Sequence, residues 1–124
     1  MDIKPNILII EDSKSLLKYL TKYLEEKGFN IYTSNNGFLG ISLYETHMPD
    51  LVITDIIMPE KEGIETIQEL KQNYPGTKII AISGVGKIDA PNHLEMAKVF
   101  GADETLCKPF TQRELIEIVN KLIN

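Results

Sequence analysis

The chain has 124 residues, 43% hydrophobic and 25% charged, with a formal net charge of −5. That length suits one compact domain, residues 1–124, and the acidic balance leads us to expect neither nucleic acid nor an anionic membrane as a main partner. A single cysteine, Cys107, allows no internal disulfide; with no signal-peptide design at MDIKPN and no apolar run of membrane-spanning length, the expected location is cytoplasmic.

Asn6–Ile10 (NILII) is a short apolar run predicted as a buried strand. Over Lys14–Lys27, Leu16, Leu17, Leu20, Tyr23 and Leu24 recur at helical spacing; Asp12 or Ser13 is placed to cap the start, and Gly28 to end it. A second strand is predicted at Asn30–Ser34, and a second helix at Gly37–Glu45 anchored on Phe38, Ile41 and Leu43. Leu51–Thr54 is the third strand, and Ile64, Ile67 and Leu70 carry a third helix that Tyr74-Pro75-Gly76 terminates. Lys78–Ile82 is the fourth strand, followed by a helix containing Leu94, Ala97, Val99 and Phe100. Glu104–Cys107 is a short fifth strand. The last helix opens on the capping box Thr111-Gln-Arg-Glu114 and carries Leu115, Ile118, Val119 and Leu122. Five strand–helix units in strict alternation imply an α/β fold: a five-stranded parallel sheet with right-handed crossovers, sandwiched between two helical layers.

In such a sheet the C-terminal strand ends share one edge, and ligands bind there. The first strand ends in Glu11 and Asp12, the third in Asp55, the fourth in Ser83, and the fifth in Lys108 followed by Pro109. Converging acids repel one another and raise each other's pKa. A divalent cation relieves that, and Mg²⁺ suits carboxylate oxygens together with water and a phosphate oxygen. Lys108 supplies a second positive charge. A carboxylate so held, Asp55, is a candidate nucleophile. If it attacks phosphorus, Mg²⁺, Lys108 and the Ser83 hydroxyl can hold the three equatorial oxygens of the transferring group.

Each residue also has a plainer reading. Asp55 alone would pass for a turn residue after a strand, Glu11-Asp12 for a helix cap, Ser83 for turn chemistry and Lys108 for a solvated loop lysine; their combination outweighs these. Cys107 is expected to be a core thiol, and His47 and His93 surface residues without a metal partner at useful spacing. Gly84-Val-Gly86-Lys87 is no Walker loop, because Ala81 stands where that pattern needs glycine and Ile88 where it needs Ser or Thr.

Glu11-Asp12, Asp55 in TDIIMP, Ser83 in AISG and Lys108 in KPF together resemble the receiver domain of response regulators in two-component signalling. The resemblance runs the length of the chain and includes GADETLCKPF before the last helix. It implies a flavodoxin-like fold with sheet order 2-1-3-4-5. It also implies that Asp55 accepts a phosphoryl group from a phosphohistidine on a sensor histidine kinase or phosphotransfer protein. Glu11, Asp12 and Asp55, with the backbone carbonyl of Ile57, would hold Mg²⁺; Ser83 and Lys108 would contact the phosphoryl group, and Lys108–Pro109 would be cis. The implied role is a switch that assists its own phosphorylation rather than an enzyme, acting on an unidentified downstream protein.

Two departures from the family pattern fall on the output side. Thr105 stands where the family usually has the Tyr or Phe that moves inward on activation. The segment 83–91 (SGVGKIDAP) is longer and richer in glycine than usual, and is expected to carry the readout. With no effector segment in these 124 residues, the expectation is a stand-alone receiver. The rivals are a degenerate receiver used only for binding, an aspartyl-phosphate phosphatase or phosphotransferase, and an FMN carrier. Ile57, where such a phosphatase carries a second Asp, and the two acids in EDSKS, where a flavin phosphate would sit, count against the last two.

Overall fold

The computed structural model describes residues 4–56, 63–84, 95 and 97–123. Five strands, β1 (Asn6–Ile10), β2 (Asn30–Ser34), β3 (Leu51–Asp55), β4 (Ile79–Ser83) and β5 (Glu104–Cys107), form one sheet in the order β2-β1-β3-β4-β5. Every neighbouring pair is parallel. Three described helices, α1 (Lys14–Glu26), α2 (Gly37–His47) and α3 (Gly63–Asn73), link successive strands, and a C-terminal helix spans Gln112–Ile123. Residues 97–99 are also helical, as expected for the segment after β4, whereas Leu94 lies outside the described residues.

The three layers follow from the two-residue period of the strands. Ile7, Ile9, Leu51, Ile53, Ile80, Ile82 and Leu106 face one way and pack with Leu20 and Leu24 of α1 and Leu115 and Val119 of the C-terminal helix. Leu8, Ile10, Val52, Ile79 and Ala81 face the other way, onto Ile41 and Tyr44 of α2 and Ile67 and Leu70 of α3. With both faces covered, the central strands are apolar almost throughout, as parallel sheets require.

The structure corrects several boundaries. β3 and β4 each reach one residue further than expected, so Asp55 and Ser83 belong to the sheet itself. α2 runs on to His47 and stops at Met48, whose left-handed φ of 45° lets its N–H donate to the Tyr44 carbonyl at 2.7 Å. His47, expected at the surface, is half-buried and stacks on Tyr32 with ring centroids 3.9 Å apart. The capping box of the last helix forms as expected. Glu114 N–H donates to Thr111 Oγ1 at 3.0 Å, and Thr111 N–H to Glu114 Oε1 at 2.9 Å. Among the described residues no helix is long and apolar enough to cross a membrane.

Candidate functional site

Parallel pairing continues one residue past β1, where Glu11 N–H donates to the Ser34 carbonyl at 2.9 Å. The Glu11 side chain is therefore carried into the sheet edge and is only 2% exposed. Its Oε2 accepts the Ser13 N–H at 3.0 Å and its Oε1 accepts from Lys108 Nζ at 3.2 Å. Of the two candidate caps for α1 the structure selects Ser13, whose Oγ accepts the Leu16 N–H at 3.4 Å. The exposed Asp12 carboxylate is thus not taken up by the cap.

Asp55 closes β3 and is 7% exposed. Its Oδ2 lies 3.2 Å from Lys108 Nζ, so one ammonium bridges the two buried acids. Carboxylate oxygens of Glu11, Asp12 and Asp55 all lie within 4.8 Å of one another. Three carboxylates against one ammonium leave a surplus of negative charge, and their hard oxygen donors suit a hard divalent cation. Ser83, at the end of β4, is fully buried, and among the described residues its hydroxyl has no hydrogen-bond partner. Its carbonyl accepts the Lys108 N–H at 2.7 Å, and the Lys108–Pro109 peptide is cis.

Burial is the main reason the Glu11 carboxyl is pushed up to about 7. The hydrogen bond from Ser13 and the charge of Lys108 oppose the rise, and Asp55 adds to it. For Lys108, burial acts downward, but the charges of Asp55 and Glu11 outweigh it and hold the ammonium above its ordinary value. Because the folded Glu11 carboxyl is raised, the stability it contributes is full below the ordinary carboxylate range and is lost as pH rises through about 7. Glu11→Gln should therefore raise the melting midpoint of the magnesium-free protein near pH 8 and change it little below about pH 5. Thermal unfolding in a chelator at the two pH values measures this.

Sequence reasoning missed Gly63. A Cβ there would overlap the Asp55 carbonyl oxygen and lie 2.6 Å from the Ile56 Cα, while Gly63 N–H donates to the Ile56 carbonyl at 2.7 Å. Only glycine lets α3 start against the backbone that carries Asp55. The available signal was a glycine at the first position of a helix, where it costs helix propensity.

Other expectations divide. Thr105 is half-buried on β5, in register with Ala81. Cys107 is exposed and not a core thiol: Leu106 takes the inward position next to it, and Cys107 ends an edge strand. The Ile57 carbonyl, His93 and the 83–91 segment from residue 85 onward lie outside the described residues. A concavity of about 660 Å³ lined by Asn6, Tyr44, Asp50, Thr77 and Lys78 sits at the opposite, N-terminal edge of the sheet. Glu11, Asp12, Asp55 and Lys108 are not there, so we assign the chemistry to the C-terminal edge.

A family model described as the response regulator receiver domain matches residues 7–120. This chain belongs to that family. The transcriptional regulatory protein CusR of Escherichia coli (strain K12) is 36% identical over 117 residues, covering 94% of this chain and 50% of CusR. A solved response regulator receiver domain protein from Clostridium thermocellum superposes on this receiver with a TM-score of 0.89 at 31% identity, covering 97% of this chain and 94% of the other. A Staphylococcus aureus chain described as a DNA-binding response regulator of the LuxR family gives a TM-score of 0.87 at 29% identity, covering 97% and 99%. The receiver spans about half the length of the curated relatives it matches. The flavodoxin-like fold and the sheet order implied by the resemblance are confirmed.

The expectation that nucleic acid is no partner is overturned. CusR is a transcriptional regulatory protein, and the S. aureus chain is described as DNA-binding. Net charge over one domain's length does not restrict what a protein built around that domain binds, which is why the inference failed.

Proposed function

We propose that Asp55 is the phosphoacceptor of this receiver and that Mg²⁺ is held by Glu11, Asp12 and Asp55. The observation that supports it most is the buried edge where Asp55 meets Lys108 at 3.2 Å, with the buried Ser83 hydroxyl, which has no partner among the described residues, on the adjoining strand. The donor is a phosphohistidine on a sensor kinase or phosphotransfer protein. An Asp55 carboxylate oxygen forms the new bond to phosphorus while the P–N bond breaks, and the electron pair returns to the imidazole nitrogen, which takes a proton from water. Bound Mg²⁺ would offset the negative charge gathered by the acids and the incoming phosphoryl oxygens. Lys108 is placed to release Glu11 and Asp55 and follow that charge, and the Ser83 hydroxyl to donate to a phosphoryl oxygen.

The domain then acts as a switch that assists its own phosphorylation and does not turn over a separate substrate. We place it in the cytoplasm, where the exposed Cys107 thiol stays reduced. The output we propose is transcriptional control, in keeping with the names of the relatives.

Incubation with acetyl phosphate and Mg²⁺, read by intact mass, tests the reading. The wild type should gain one base-labile phosphoryl group, and Asp55→Asn none. A group mapped to Ser83 or to a histidine, or uptake unaffected by a chelator, would overturn it.

A further inference from the structure

We propose that the outer edge of β2, which no other described strand pairs with, is a docking site for an extended acidic segment of a partner protein, which adds to the sheet beneath a row of lysines on α1. The proposal is independent of the phosphorylation chemistry. Lys14, Lys18 and Lys22 are exposed and recur every fourth residue along α1. Among the described residues none of the three forms an ion pair, although the chain as a whole is acidic. Together with Leu17, Thr21 and Thr33 they line a groove of about 420 Å³ between α1 and β2.

β2 is an outer strand of the sheet. Asn30 N–H donates to the Pro5 carbonyl, and the Ser34 carbonyl accepts from Glu11 N–H. Even-numbered residues of β2 therefore direct their main-chain groups to β1, and Ile31 and Thr33 direct theirs outward, along the groove. Ile31 packs with the α1 layer, so the side chains on its face of the strand, Thr33 included, lie on the lysine side.

The spacings match. Lys14 to Lys22 spans about 12 Å of helix, in steps of about 6 Å. Three alternate residues of an extended chain span about 13 Å, in steps of nearly 7 Å. A strand hydrogen-bonded to Ile31 and Thr33 with acids at alternate positions would set each carboxylate near one lysine. This is strand addition to an open edge, with side-chain charge giving specificity. Lysines beside an open edge also discourage unwanted pairing; the same row that turns away a neutral or basic strand attracts an acidic one. The outward N–H and C=O groups favour a peptide over a nucleic-acid strand, since they complement a peptide backbone.

The probe is a fluorescent peptide of roughly ten residues with Glu alternating with Val and Thr, read by anisotropy and by amide NMR shifts. The wild type should bind it, with the largest shifts at Ile31 and Thr33. Lys14→Glu/Lys18→Glu/Lys22→Glu should weaken binding at least about tenfold. Thr33→Pro removes an outward N–H and leaves the bonds to β1, so it should weaken binding similarly with every lysine in place. A peptide N-methylated at alternate residues removes the same class of bond without altering the protein, and should also fail to bind. No binding by the wild type would overturn the proposal. So would binding indifferent to both Thr33→Pro and N-methylation, which is charge attraction alone, or displacement of the peptide by a single-stranded oligonucleotide that binds more tightly.

Discussion

Replacing Gly63 with alanine should destabilise the domain by about 2–3 kcal/mol and slow phosphorylation from acetyl phosphate by roughly tenfold or more. The added methyl has no free space: it overlaps the Asp55 carbonyl and crowds the Ile56 Cα. Both are main-chain atoms, so no side chain can rotate away to admit it. Either α3 withdraws from the end of β3, or the end of β3 moves. The first loses burial at Ile67 and Leu70, and the second displaces Asp55 from Lys108. Urea unfolding and the rate of mass gain report the two effects separately. A variant with unchanged stability and rate would show that the β3–α3 junction tolerates a Cβ.

Lys108→Ala should have the second large effect, and its size should depend on conditions. Without Mg²⁺ near pH 8 the variant is left with buried Glu11 and Asp55 and no ammonium between them, a loss of about 2 kcal/mol after allowance for the partial exposure of Lys108. Without Lys108, whose charge and hydrogen bond lower the Glu11 pKa, Glu11 takes up its proton at a higher pH than in the wild type, and one of the two charges disappears as pH falls. The deficit should shrink accordingly. Millimolar Mg²⁺ near pH 8 should recover most of it, because a cation there replaces the missing positive charge. Magnesium affinity itself should be kept or improved, while the response to a phosphoryl group is impaired. Chemical denaturation at two pH values, with and without Mg²⁺, checks each part; a deficit independent of both would argue that Lys108 acts through packing.

How far the sequence disclosed this molecule depended on the range of the physics involved. NILII gave a strand with the observed bounds, because a continuous apolar run between turn residues is a local signal. Asp55, Lys108, Glu11 and Asp12 were legible because the edge rule for parallel sheets turns strand ends into neighbours. Periodicity could not order the strands; the order came with the family resemblance. Gly63 was missed because what constrains it is the backbone of a different element. Cys107 was misassigned because an apolar neighbourhood in sequence does not tell an edge strand's two faces apart. Choosing Ser13 over Asp12 as the cap needed hydrogen-bond geometry.

Among the described residues the buried Ser83 hydroxyl has no hydrogen-bond partner. Burying such a group without a partner costs on the order of 1–3 kcal/mol. A phosphoryl oxygen on Asp55 would remove it. A resting state so held would lie slightly uphill, and the proposed modification would release the difference, a bias of roughly 5- to 150-fold on any conformational equilibrium coupled to it. Ser83→Ala should accordingly leave the unphosphorylated domain at least as stable as the wild type in urea, yet narrow the stability gap between its phosphorylated and unphosphorylated forms. On this view part of the driving force for switching is stored at the proposed acceptor site beforehand, as an unmet hydrogen bond, and does not have to come wholly from the bond that phosphorylation would make.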